Sequence, residues 1–101
     1  MNKVIRDGKV GVLVSPGYGS GFYTWGYPTE AMFDPTLIGL VENEKYQEAI
    51  DYCESTWEGE YSGGVQDLVV AWIPEGTKFI IEEYDGFESI RIYDDITWIT
   101  A

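Results

Sequence analysis

The sequence predicts an α+β fold: an antiparallel sheet of about five or six strands, with two helical segments inserted after the first hairpin. Three observations predict it. Asp7-Gly8 and Asp85-Gly86 each sit between β-rich runs, and Asp-Gly is a strong signal for a two-residue hairpin turn. Between them, Tyr46, Ala49, Ile50, Cys53 and Trp57 recur at steps of three and four, which gathers them on one stripe of a helix. The helical runs are inserted together after the first hairpin, with strand runs before and after them, where they can cover one face of the sheet.

The elements follow in order. "NKVIR" and "KVGVLVS" are the arms of the first hairpin, and Ser15-Pro16-Gly17 ends its second strand in the residue order of a type II turn. Residues 15 to 28, "SPGYGSGFYTWGYP", form a loop with glycines at 17, 19 and 21 among five aromatics. Thr29 is placed to cap a short turn, "EAMF", and Asp34-Pro35 reads as an N-cap with proline at the first helical position. Leu37, Ile38, Leu40 and Val41 give that helix an apolar face, and the Tyr46–Trp57 stripe gives the next. Glu42, Glu44, Glu48, Asp51 and Glu54 fall mostly on the wet side. "EGEYSGG" is a loop, "VQDLVVAWI" a central strand, and Pro74-Glu75-Gly76 a turn. In "TKFIIEEYDGFESIRIY" a two-residue turn sets Tyr84 against Phe87, Glu83 against Glu88, Ile81 against Ile90 and Phe79 against Ile92. Residues two apart share a face, so Phe79, Ile81, Ile90 and Ile92 form one apolar patch, and Glu83 and Glu88 oppose one another on that same face: a site there would set a cation, or a partner's Arg or Lys, between them, while the favoured reading is a tip that projects into water. Ile96, Trp98 and Ile99 are expected to add a last strand.

Composition bounds the function. At 101 residues with 45% hydrophobic side chains, the chain suits one domain, residues 1–101, with a small core. No apolar run is long enough to span a membrane, and "MNKVIRDGKV" lacks a signal-peptide core. Cys53 is the single cysteine, so no internal disulfide forms. These features point to the cytoplasm. Eighteen acids against six bases and no histidine give a net charge of −12. Direct nucleic-acid binding is disfavoured, because phosphate contacts need Lys and Arg. No catalytic constellation stands out: the serines have no histidine to activate them, and the carboxylate runs lack calcium-loop or zinc spacing. No enzyme activity, metal or cofactor is expected.

The candidate site is the glycine loop. Gly17, Gly19 and Gly21 let backbone N–H groups approach an anion, and Tyr18, Phe22, Tyr23 and Trp25 offer faces to a nucleobase. Arg91 is added as a cation for a phosphate. The spacing is GxGxG, neither the dinucleotide fingerprint nor a P-loop. The competing reading is an irregular loop whose aromatics fill the edge of the core.

"VLVSPGYGSGFYTW", "WIPEGTKFIIEEYDGFESI" and "TWITA" resemble a group of small proteins carried by phages and prophages. The resemblance implies a viral accessory role in a bacterial host cell, of the kind that counters host defence. Two strategies fit the residues. A sponge holds a nucleotide-like immune signal, such as a cyclic ADP-ribose derivative or a cyclic dinucleotide, without cleaving it. Its pocket is expected at a subunit interface, and hence in a homo-oligomer, because a chain this short has little interior to spare. An acidic inhibitor instead imitates nucleic acid and blocks a basic defence protein, as some anti-CRISPRs do. The loop favours the first strategy and the charge favours the second. A housekeeping binding domain is the third reading. The resemblance carries no functional residue over to this chain.

Overall fold

Val12 and Leu13, adjacent in the second strand, are both fully buried, so that strand needs cover on both faces. The rest of the architecture answers that need. The computed structural model describes residues 2–92 and 101. Strands β1 (Ile5–Arg6), β2 (Lys9–Val14) and β3 (Val69–Pro74) form a three-stranded antiparallel sheet in the order β1-β2-β3. Helices α1 (Thr29–Met32), α2 (Pro35–Glu42) and α3 (Tyr46–Thr56) follow β2, and strands β4 (Phe79–Tyr84) and β5 (Phe87–Ile92) form a separate hairpin.

One face of the sheet carries Leu13, which joins Leu37, Ile38 and Val41 of α2 and Ala49 and Cys53 of α3 in the larger core. The other carries Val10, Val12, Val14 and Ile73, which pack with Met32, Phe33 and the hairpin residues Phe79, Ile81, Ile90 and Ile92. The molecule is thus layered: helices, sheet, hairpin.

The fold class is α+β, but the single sheet of five or six strands is corrected. The described residues hold five strands in two antiparallel sheets. The reason is the patch on the last hairpin. Its four apolar side chains pack across the face of β2 that carries Val10, Val12 and Val14, so the hairpin covers the sheet instead of extending its edge. Residues 93–100, with the possible last strand, lie outside the described residues. The described residues hold three α-helices rather than two helical segments.

Both Asp-Gly turns have positive φ at both residues (Asp7 50°, Gly8 75°; Asp85 53°, Gly86 87°), the signature of type I′ turns. The register of β4 and β5 matches the sequence reading at every pair, from Phe79 opposite Ile92 to Tyr84 opposite Phe87. Asp34 caps α2, its carboxylate accepting the Leu37 N–H at 2.9 Å. Pro28, not Thr29, occupies the N-cap position of α1. The strand read from Val65 starts at Val69, because Val65–Asp67 form a 3-10 turn. The expected type II turn at Ser15-Pro16-Gly17 is also corrected. Gly17 is not among the positive-φ glycines, whereas Gly19 has φ +73° and Ser20 N–H returns to the Gly17 carbonyl.

Candidate binding site at the glycine loop

The loop between β2 and α1 turns its N–H groups inward, as an anion cradle would. The anion is the chain's own. Glu88, on β5, is 1% exposed. Its Oε1 accepts the Ser15 N–H at 3.0 Å. Its Oε2 accepts the Phe22 N–H at 3.0 Å, the Thr24 N–H at 2.8 Å and the Thr24 hydroxyl at 2.7 Å. Backbone bonds reinforce the junction: Glu88 N–H donates to the Ser15 carbonyl, and Gly19 N–H to that of Asp85. A solvated tip was expected for Glu88. The structure corrects this, because four charge-assisted donors offset the cost of burying a carboxylate.

The glycines explain how closely the pieces approach. A Cβ on Gly86 would lie 2.7 Å from Ser20 N and 2.8 Å from Gly19 N. One on Gly64 would lie 2.2 Å from the Ser20 carbonyl oxygen, and the Gly64 carbonyl accepts the Ser15 hydroxyl. Gly21 lies under the Trp25 indole, and Gly17 faces the Asp67 carboxylate.

The aromatics divide. Phe22 is wholly buried and stacked on Tyr27 at 4.2 Å, so its ring is core and cannot stack on a ligand. Tyr23 is half-buried and touches both core clusters. Tyr18 and Trp25 face outward, 68% and 37% exposed. Tyr18 packs against Phe87 at 5.1 Å and edge-on to Tyr84 at 6.3 Å. Trp25 leans on Tyr61 at 5.4 Å and donates its indole N–H to Glu83 at 3.0 Å. Arg91 is not brought to the loop. It lies opposite Ile80, on the hairpin face away from Glu88, and pairs with Glu82.

Glu88, Thr24, Gly64 and Gly86 are the residues at this junction that the motif reading missed. A signal existed for Glu88. The register puts it on the apolar face of its hairpin, where a carboxylate needs donors.

The remaining chemistry is quiet. Among the described residues, no group of three His, Cys, Asp or Glu side chains could hold a metal ion. Cys53 is buried, and desolvation pushes its thiol up to about 12. Burial likewise raises Tyr27, whose hydroxyl has no hydrogen-bond partner among the described residues. An apolar recess of about 340 Å³ lies between α1 and β4, lined by Met32, Phe33, Phe79 and Ile81. No helix of the described residues is long and apolar enough to cross a membrane. Comparison of the chain with protein-family models, with curated proteins and with solved structures finds no match.

Proposed function

We propose that this chain is a non-catalytic binding protein that docks a basic protein partner through the surface where the glycine loop meets the β4–β5 tip. One observation carries the reading. Glu88 fills the loop's inward N–H groups, which leaves outside a set of exposed aromatics, Tyr18, Trp25, Tyr61 and Tyr84, among carboxylates. Tyrosine and tryptophan are the side chains that anchor protein interfaces. The charge of −12 complements a partner rich in Lys and Arg, such as a protein whose groove binds nucleic acid. The phage-like resemblance makes a host defence protein a fitting partner for such an inhibitor.

Sequestration of a nucleotide-like signal is the second reading, favoured by the exposure of Tyr18 and Trp25 for base stacking. Its phosphates would need donors other than the loop N–H groups that Glu88 holds, from a second copy of the chain in a homo-oligomer.

Calorimetric titration separates the two. A cationic polypeptide is expected to bind and to release steeply as salt rises, while cyclic dinucleotides and cyclic ADP-ribose derivatives give no heat. Tight nucleotide binding with no response to the polycation would overturn the proposal in favour of sequestration.

A further inference from the structure

Resting on the basic-partner reading, we infer that the loop–hairpin tip is an arginine-docking shelf: a partner's guanidinium stacks on Tyr18 and Tyr84 and forks onto a neighbouring carboxylate. The platform is exposed yet held in place. Tyr84 is 75% exposed. Tyr18 stands edge-on to it and is backed by Phe87. The Gly19 N–H bond to the Asp85 carbonyl ties the two turns together beneath them. Preorganised aromatic faces lose little entropy when they bind.

The shelf's charge selects a cation. Asp85 follows Tyr84 directly, and the Asp67 carboxylate lies against Gly17, next to Tyr18. The described cations stand elsewhere. Arg6 is with Glu42, Arg91 with Glu82 and Lys3 over Phe33. Lys9, Lys45 and Lys78 belong to the start of β2, the α2–α3 link and the end of the hairpin far from its tip. A second copy carries the same net charge and is a poor occupant.

Arginine fits better than lysine. Its planar guanidinium can stack and fork at once, whereas an ammonium is a compact, strongly hydrated point charge. The chain builds this geometry internally. The Arg6 guanidinium sits 5.0 Å from the Trp72 ring centroid while two of its nitrogens bond both Glu42 oxygens at 2.6 and 2.8 Å.

The test titrates the full chain, at low ionic strength, with oligoarginine and oligolysine peptides of equal length. Backbone amide shifts are followed by NMR. Oligoarginine is expected to bind about tenfold more tightly, within the range of cation–π energies, and to shift the Tyr18, Tyr84 and Asp85 amides. Tyr18→Leu with Tyr84→Leu is expected to bring both peptides to the oligolysine level with thermal stability unchanged. Equal affinities in the parent chain would overturn the shelf and spare the basic-partner reading. An arginine preference that survives the double variant, or shifts centred elsewhere, would overturn the site. Binding of neither peptide would overturn both. Should the double variant not fold, the shift map of the parent chain decides.

Discussion

Replacing Glu88 by glutamine changes one oxygen to an amide and tests the whole junction. The carboxylate takes three donors on Oε2 and one on Oε1. A glutamine that keeps its oxygen at the Phe22–Thr24 side turns its NH2 toward the Ser15 N–H, donor against donor. That buried N–H loses its acceptor, a cost of about 1–3 kcal/mol. The other three bonds fall from charge-assisted to neutral strength, about 1 kcal/mol each. Relief from burying a charge offsets part of this, so the net loss is expected at about 2–4 kcal/mol. Glu83→Gln is the control. Glu83 is directly opposite on the same hairpin and exposed; its Oε2 accepts the Trp25 indole N–H and the Gly86 N–H, bonds that a glutamine oxygen keeps, so its replacement is expected to change stability by about 0.5 kcal/mol or less.

Urea unfolding followed by tryptophan fluorescence reads both variants. At about 4–8 °C per kcal/mol for a domain of this size, Glu88→Gln also lowers Tm by roughly 10–30 °C. A loss no larger than that of Glu83→Gln would refute the reasoning, because it would mean the loop amides find water or other acceptors without Glu88.

Three further outcomes follow from the same structure. Asp34→Ala removes the side-chain cap of α2 and is expected to cost about 1 kcal/mol, read as a shifted urea midpoint with unchanged slope. Gly64→Ala forces a methyl onto the Ser20 and Gly21 carbonyl oxygens; the thermal midpoint is expected to fall by at least the amount that ordinary overpacking of about 1–3 kcal/mol produces. The Cys53 thiol, raised to about 12 by burial, is expected to resist a disulfide reagent at pH 8 until urea unfolds the chain. Its sign in stability follows from linkage. A thiol held protonated in the fold favours the native state below its unfolded pKa, and that contribution is lost as pH rises from there toward 12. A Cys53→Ala variant should therefore show a shallower alkaline decline.

Local elements were legible because their causes are local. The two Asp-Gly turns, the Asp34 cap and the 46–57 stripe each depend on residues within a few positions of one another, and the structure places all of them. The hairpin register was legible for the same reason. What the hairpin packs on was not. Phe79, Ile81, Ile90 and Ile92 announce an apolar face, but whether it extends a sheet or lies over one depends on β2, whose valines come some seventy residues earlier. Arg91 is a different case. The register alone sets it opposite Ile80, on the face away from the Phe79 patch, and the sheet that the patch lies on is what makes the Glu88 face the one turned to the loop.

The glycine loop shows how two opposed readings can each hold part of the truth. The loop's N–H groups do converge on an anion, though they come from Ser15, Phe22 and Thr24 and not from Gly17, Gly19 or Gly21, and two of the loop's aromatics, Phe22 and Tyr27, fill the core. The sequence could not say which anion, because the acceptor lies 73 positions from Ser15 and 64 from Thr24. The distinction matters for function. With Glu88 resident, an incoming anion meets a filled cradle and a carboxylate-bearing rim. A cation meets exposed tyrosine faces beside Asp67 and Asp85. On the proposed basic-partner reading, burying a single carboxylate reverses the polarity of the ligand that the loop's composition suggests, from a phosphate held by backbone donors to a positive group held by what faces outward.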